Sequence, residues 1–205
     1  GSVGSGVLRV GDEVEWLPAG KIVRVRSLEA HGRRTECVRR AQRAAIGLAG
    51  VHHKEIARGH ELATPGYLRP ATLLTVRLQV RRDSPLPIRL RSRVRLHIGA
   101  AEIIATVSLL SGTSVVPGES ACAQLFLAGP ATASCGQPFI LRSVSPLATL
   151  GGGQVLAAGG GLNRPIPRRH LDRFLRLEDL AANDDPVKRA AAALWFQDLE
   201  PWTNL

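Results

Sequence analysis

The residues in this chain best placed to do chemistry are cations at strand spacing. Arg89, Arg91, Arg93, Arg95 and His97 alternate with an apolar set, Ile88, Leu90, Val94, Leu96 and Ile98. An extended strand from 88 to 98 would put the basic side chains on one face and the apolar ones on the other, because side-chain direction repeats every two residues. Same-face neighbours then stand ~6.6–6.8 Å apart, comparable to successive phosphates of a nucleic acid. The planar guanidinium fork suits phosphate oxygens. This is anion recognition, not bond making. The face carries no aromatic side chain, so base stacking on a single strand is unsupported, and contact with the backbone of duplex RNA fits better. The same alternation also describes the solvated outer face of a barrel, and both readings stand at this point.

Catalytic constellations are missing from the sequence. Ser108, Ser111 and Ser114 lack the strand–turn–helix elbow of a nucleophilic serine. No Gly-x-x-x-x-Gly-Lys-Ser/Thr loop and no Asn-Lys-x-Asp motif is present, so no nucleotide site is expected in these residues. Cys37, Cys122 and Cys135 have no close-spaced partner, and three thiols close no disulfide set, which predicts free cysteines. His52 and His53 are adjacent and His60 lies in the following turn, a spacing that no common zinc motif uses, so no metal is expected. No enzymatic activity of this chain is expected.

The elements that must carry the basic side chains read as short strands. Alternating runs broken by glycine and proline recur from Val7 to Val155, the pattern of small all-β barrels or sandwiches. Val76, Leu78 and Val80 alternate with Thr75, Arg77 and Gln79; Ala121, Ala123, Leu125 and Leu127 alternate with Cys122, Gln124 and Phe126. The proline-bracketed stretch 64–70 has no period and holds the best linker. The expected fold class is all-β: a barrel over 1–66, a linker at 67–70, a second barrel over 71–158 and a short helical segment over 159–205. In that last stretch Leu171, Phe174 and Leu175 fall at helical spacing, and Asp185-Pro186 would cap and open a second helix.

At 205 residues, with 44% hydrophobic and 21% charged side chains, the chain has room for two small cores. No apolar run reaches membrane-span length and no secretory signal opens the sequence, so a cytoplasmic protein without a membrane partner is expected. A net charge of +10 attracts polyanions, nucleic acid first. A lineage-wide preference for arginine would give the same excess. The chain lacks methionine and opens Gly1-Ser2, which reads as a piece of a longer protein.

Several segments, taken in order, resemble a known family. They are Val10-Gly11-Asp12-Glu13-Val14-Glu15, Val23-Arg24-Val25-Arg26-Ser27-Leu28, Gln42-Arg43-Ala44-Ala45-Ile46 and Ile56-Ala57-Arg58-Gly59. Further on come Phe139-Ile140-Leu141-Arg142-Ser143 and, after a short loop, Thr149-Leu150-Gly151-Gly152-Gly153 with Val155 in a final strand. Together they resemble the second and third domains of elongation-factor-type translational GTPases, and most of all those of the selenocysteine-specific elongation factors. The short stretch 93–110, where the general factor has a long tyrosine- and phenylalanine-rich segment, and the chain beyond the third domain favour this branch.

The resemblance implies two translation-factor β-barrels, the first lacking an N-terminal strand region, with 159–205 as a helical linker or the start of a winged-helix region. It implies a parent that uses GTP and Mg²⁺ in another domain and delivers selenocysteyl-tRNA to the ribosome at recoded UGA codons. Further C-terminal domains would read an mRNA hairpin. Gln42 and Arg43 fall on the strand that lines the pocket for the esterified amino acid, where general factors carry a neutral asparagine. A selenol is more acidic than a thiol, whose pKa is about 8.5, so selenocysteine is largely an anion at neutral pH. An always-charged arginine can hold it, while serine offers no charge to hold. Arg142, with Gly151, Gly152 and Gly153, falls beside the bound tRNA arm and joins Arg89, Arg91, Arg93, Arg95 and His97 in the implied tRNA-binding set. Two positions depart from the family pattern: Ala41 where a glycine usually precedes Gln-Arg, and Gly47 where an asparagine is common. The alternatives are another translational GTPase of elongation or initiation type, and a protein-interaction module that keeps the barrels without binding RNA.

Overall fold

His31 and Gly32 both take positive φ, 51° and 71°, between Ala30 and Arg33, which pair directly. Two such residues make a type I′ turn, whose twist matches that of the strands it joins. The computed structural model describes residues 1–158, and the chain divides between Leu68 and Arg69 into two units.

In the first unit β1 (Val7–Arg9), β2 (Glu13–Leu17), β3 (Lys21–Ala30), β4 (Arg33–Thr35), β5 (Cys37–Arg39), β6 (Ala45–Leu48) and β7 (Glu61–Ala63) are joined by turns and one turn of 3-10 helix, His53–Glu55. The long β3 is the spine: β2 pairs with its first half, β4 and β6 with its second. β7 adds to β2, and β1 with β5 makes a separate two-stranded sheet. Val14, Val25, Leu28, Val38 and Ala44 form the buried cluster, with Val3, Leu8, Ile46, Leu48 and Leu62 packed against it. The strand order runs β4-β3-β2-β7, with β6 also on β3. Residues 1–3 form no named strand. They lie alongside 41–44 instead, with Val3 N donating to Gln42 O, Ala41 N to Val3 O and Ala44 N to Gly1 O, each at 2.9 Å.

The second unit contains β8 (Ala71–Val80), β9 (Ile88–Arg89), β10 (Arg93–Ile98), β11 (Ala101–Leu109), β12 (Ser114–Val115), β13 (Ser120–Ala131), β14 (Pro138–Ser143) and β15 (Thr149–Ala158). Six of them close a barrel in the order β10-β11-β13-β8-β15-β14. The alternation read from the sequence turns Val76, Leu78 and Val80 of β8 and Ala123 and Leu125 of β13 inward, all with no exposed surface. Burying a side chain of the Val/Leu class is worth ~1.5–3 kcal/mol. A one-residue slip would turn the whole set outward, so the register is firmly fixed.

Two local expectations change. The strand expected from 88 to 98 is broken. β9 pairs with β12, and β10 begins only at Arg93. Between them Ser92 N donates to Arg89 O and Ser92 Oγ accepts from Arg89 N, both at 3.0 Å, while Arg91 takes φ 65°. A serine hydroxyl able to close a turn on the backbone overrides the alternation here. The inside–outside division survives, with Ile88, Val94, Leu96 and Ile98 buried and Arg89, Arg91 and Arg93 exposed. The glycine triplet, expected as the approach to the final strand, lies within β15. A Cβ at Gly151 or Gly153 would collide with the carbonyl oxygens of Gln79 and Arg77 on β8, and one at Gly152 with that of Phe139 on β14. These glycines let three strands approach closely, and that need is one of packing.

The helical segment expected over 159–205 lies outside the described residues. Among the described residues no helix is long and apolar enough to cross a membrane.

Candidate nucleic-acid interface

Strand register, more than spacing along one strand, assembles the basic face of the second unit. Arg95 of β10 stands opposite Ile104 on one side and Arg142 on the other. Arg142 in turn opposes Thr149 of β15, and the next residue, Leu150, accepts from Arg81 N at 2.9 Å. Arg95, Arg142 and Arg81 thus follow one another across the strands, at interstrand steps of ~4.7–4.9 Å. The neighbouring row runs through Glu102, His97, Ile140, Gly152 and Gln79, successive register partners on five strands.

Two carboxylates enter this face. Glu102 Oε1 accepts from Arg95 Nη1 at 2.7 Å, and Glu102 Oε2 lies 3.9 Å from His97 Nδ1, too far for a hydrogen bond. Asp83 holds Arg81 in a two-point pair, Nε–Oδ1 2.8 Å and Nη2–Oδ2 2.6 Å. Those hydrogen bonds from Arg81, with its charge, hold the Asp83 carboxyl below its ordinary range, and the same pairing raises Arg81. No carboxylate pairs with Arg142 among the described residues. The Nε atoms of Arg95 and Arg142 and the Nε2 atom of His97 are buried without a hydrogen-bond partner among those residues. The face is therefore short of negative charge. Beside it an open concavity of about 470 Å³ is lined by Gln79, Arg81, Arg82, Asp83, Gly152 and Gly153. Glycine backbone and cationic neighbours suit a sugar–phosphate chain better than an apolar ligand.

Of the residues predicted from sequence, Arg95, His97, Arg142 and Gly152 come together here, with Arg93 at the start of the same strand. Gly151 and Gly153 occupy the alternate positions of β15, and Gly153 also lines the concavity. Arg89 pairs with Ser114 outside the six-stranded ring, and Arg91 sits in the turn, its N donating to Val107 O of β11 at 2.7 Å. Sequence spacing does not single out Arg81, Arg82 or Glu102; the partner of Glu102, Arg95, lies on another strand. Only the Arg81-x-Asp83 pair is readable locally.

Arg43 lies just before β6 and not inside a named strand, bridged to Ser2 and exposed. Gln42 makes a local contact with Arg39. Its Oε1 accepts from Arg39 N at 2.6 Å, and its N donates to Arg39 O at 3.1 Å. The two bonds close a turn in which Ala41 takes φ 71°, the region a glycine enters without strain. Gln42 braces the turn, and the exposed Arg43 follows it with no carboxylate partner among the described residues.

The two units match known families separately. A model of elongation factor Tu domain 2 matches residues 1–63, and a model of the selenocysteine-specific elongation factor β-barrel domain matches residues 75–160. The selenocysteine-specific elongation factor of Desulfomicrobium baculatum is 36% identical over 178 residues, 87% of this chain and 27% of that protein. The chain matches a fragment of a selenocysteine-specific elongation factor. A second selenocysteine-specific elongation factor, from Escherichia coli (strain K12), is 31% identical over 177 residues, covering 86% of this chain and 26% of that protein. The chain thus spans about a quarter of the length of the curated relatives it matches. Its fold is shared with the crystal structure of a bacterial selenocysteine-specific elongation factor, EF-Sec, at a TM-score of 0.72 and 21% identity, over 94% of this chain and 29% of that one. Arg43 lies in the unit matched by elongation factor Tu domain 2, and the Arg95–Arg142 pair in the unit matched by the selenocysteine-specific elongation factor β-barrel domain.

Proposed function

We propose that this chain is a tRNA-binding part of a factor that carries selenocysteyl-tRNA to the ribosome, in the cytoplasm, at recoded UGA codons. The observation that carries the reading is Arg95 opposite Arg142 on a barrel of this family. Two guanidiniums one strand apart repel, and an RNA phosphate between them replaces that repulsion with charge-assisted hydrogen bonds. In the other unit the exposed Arg43 offers a permanent cation to the selenolate of the esterified amino acid. The role is binding, without catalysis by these residues. GTP and Mg²⁺ do not fit here: the sequence has no phosphate-cradling loop, and we assign them, like the mRNA hairpin, to other parts of the factor.

Titration of a labelled selenocysteine tRNA transcript with this chain across salt tests the reading. The logarithm of affinity should fall linearly with the logarithm of salt. Arg95→Ala and Arg142→Ala should each lower the slope by about 0.7–0.9. Both effects should be similar for any tRNA, because phosphate contacts carry no base information directly. Arg89→Ala, off the barrel sheet, should leave the slope alone. A flat salt dependence of the unaltered chain would overturn the reading.

A further inference from the structure

Glu102 sits within the basic face it partly neutralises. Its register partner is His97, yet its carboxylate reaches diagonally to Arg95 at 2.7 Å, and both side chains remain partly exposed, 40% and 35%. An ion pair this open to water is weak and easily exchanged. A phosphate has more to gain at the same place, since Arg142 stands on the other side of Arg95 with no carboxylate of its own among the described residues. The His97 ring, its Nδ1 3.9 Å from Glu102 Oε2, lies beside a carboxylate that lets go of Arg95.

We propose that Glu102 is an internal competitor for Arg95: it occupies the guanidinium when RNA is absent and is displaced by a phosphate when RNA binds. The inference rests on the RNA-binding reading above and adds regulation to the same site. A competing carboxylate lowers affinity for every polyanion and quickens release, which suits a carrier that must give up its cargo. It also keeps Arg95 from holding stray anions.

The test measures affinity and salt slope for the same tRNA transcript with Glu102→Gln, which keeps the shape and removes the charge. Glu29→Gln, an exposed carboxylate of the other unit, serves as the control. Glu102→Gln should bind roughly 2- to 5-fold more tightly at about 0.1 M salt, with a slope steeper by up to about 0.9 and a slower dissociation rate. The control should not move. Affinity that is unchanged or lower in Glu102→Gln overturns the proposal, the lower value meaning that Glu102 holds Arg95 in place for RNA. If Arg142→Ala weakens binding while Glu102→Gln fails to strengthen it, competition alone is lost. If no form of the chain binds tRNA in a salt-dependent way, the RNA reading falls and the competitor with it. A thermal melt of each variant excludes misfolding as the source of a loss.

Discussion

Arg95 and Arg142 are direct register partners on antiparallel strands of a closed barrel. Like charges in that position lower the stability of a sheet, so binding an anion there recovers what folding gives up. Arg142→Gln should therefore stabilise the second unit, by roughly 0.2–1 kcal/mol, while weakening tRNA binding. Urea unfolding gives the answer, provided the slope stays constant and only the midpoint moves. A lower midpoint would show that Arg142 supports the barrel instead of straining it.

Gly153→Ala should be far more damaging than its size suggests. The added methyl meets the carbonyl of Arg77, a backbone atom that cannot swing aside. A loss of at least about 3 kcal/mol is expected. Gly129→Ala, in β13 with nothing near its Cβ position, should stay within about 0.5 kcal/mol. Denaturation of the two variants side by side separates a packing role of the triplet from a purely RNA-facing one.

Replacing Ala41 by glycine should stabilise the first unit. Left-handed backbone costs an alanine about 1–2 kcal/mol, and the greater freedom of glycine when unfolded takes back roughly 0.5–1 kcal/mol. A net gain of about 0.5–1 kcal/mol should appear as a higher unfolding midpoint. A decrease would mean that Ala41 leaves the left-handed region in solution.

Asp83 gives a pH signature. Its carboxyl is held below the ordinary value of 3.8, chiefly by the hydrogen bonds from Arg81. The sign follows: the stabilisation is complete above 3.8 and disappears as pH falls through the lower folded value. The pair is exposed, so the effect on global stability is small. Carboxyl NMR should find the Asp83 midpoint below 3.8 and moving up toward it in Arg81→Ala. An unmoved midpoint would assign the shift to something other than Arg81.

Arg43→Ala in the full-length factor should weaken selenocysteyl-tRNA binding and leave seryl-tRNA nearly unaffected. A charge-assisted contact is worth ~1.5–3 kcal/mol, so the loss should be roughly 10- to 150-fold. Competition binding with the two aminoacyl forms measures it. Equal losses would place Arg43 on the RNA or the fold and not on the amino acid.

Sequence and structure agree most closely where a local pattern decides the outcome. The inward rows Val76–Leu78–Val80 and Ala123–Leu125 are readable because alternation and burial are one property seen twice. The turn at Ser92 is harder, since a single hydroxyl bond outweighs five residues of alternation. Arg142 and Arg95 are both readable in the sequence, but that they face each other is not. Register between β10 and β14 depends on how the whole barrel closes, and strand spacing along one segment carries no trace of it. The same holds for Glu102. The turn that Gln42 closes is hidden differently, because nothing in the residue type says that its side chain reaches back to Arg39 N.

Closing six strands into a ring also governs how this protein meets its own copies. Each barrel strand has a neighbour on both sides, so the ring offers no bare edge to a strand from another molecule. The first unit has no such protection. Its outer strands, β4, β6 and β7, are only three or four residues long, and β4 carries Arg33 and Arg34. Short borders are poor templates for intermolecular pairing, and charge on β4 makes that strand a poorer one still. Resistance to aggregation therefore comes from topology in one unit and from brevity and charge in the other, and substitutions at Arg33 or Arg34 erode the weaker of the two defences.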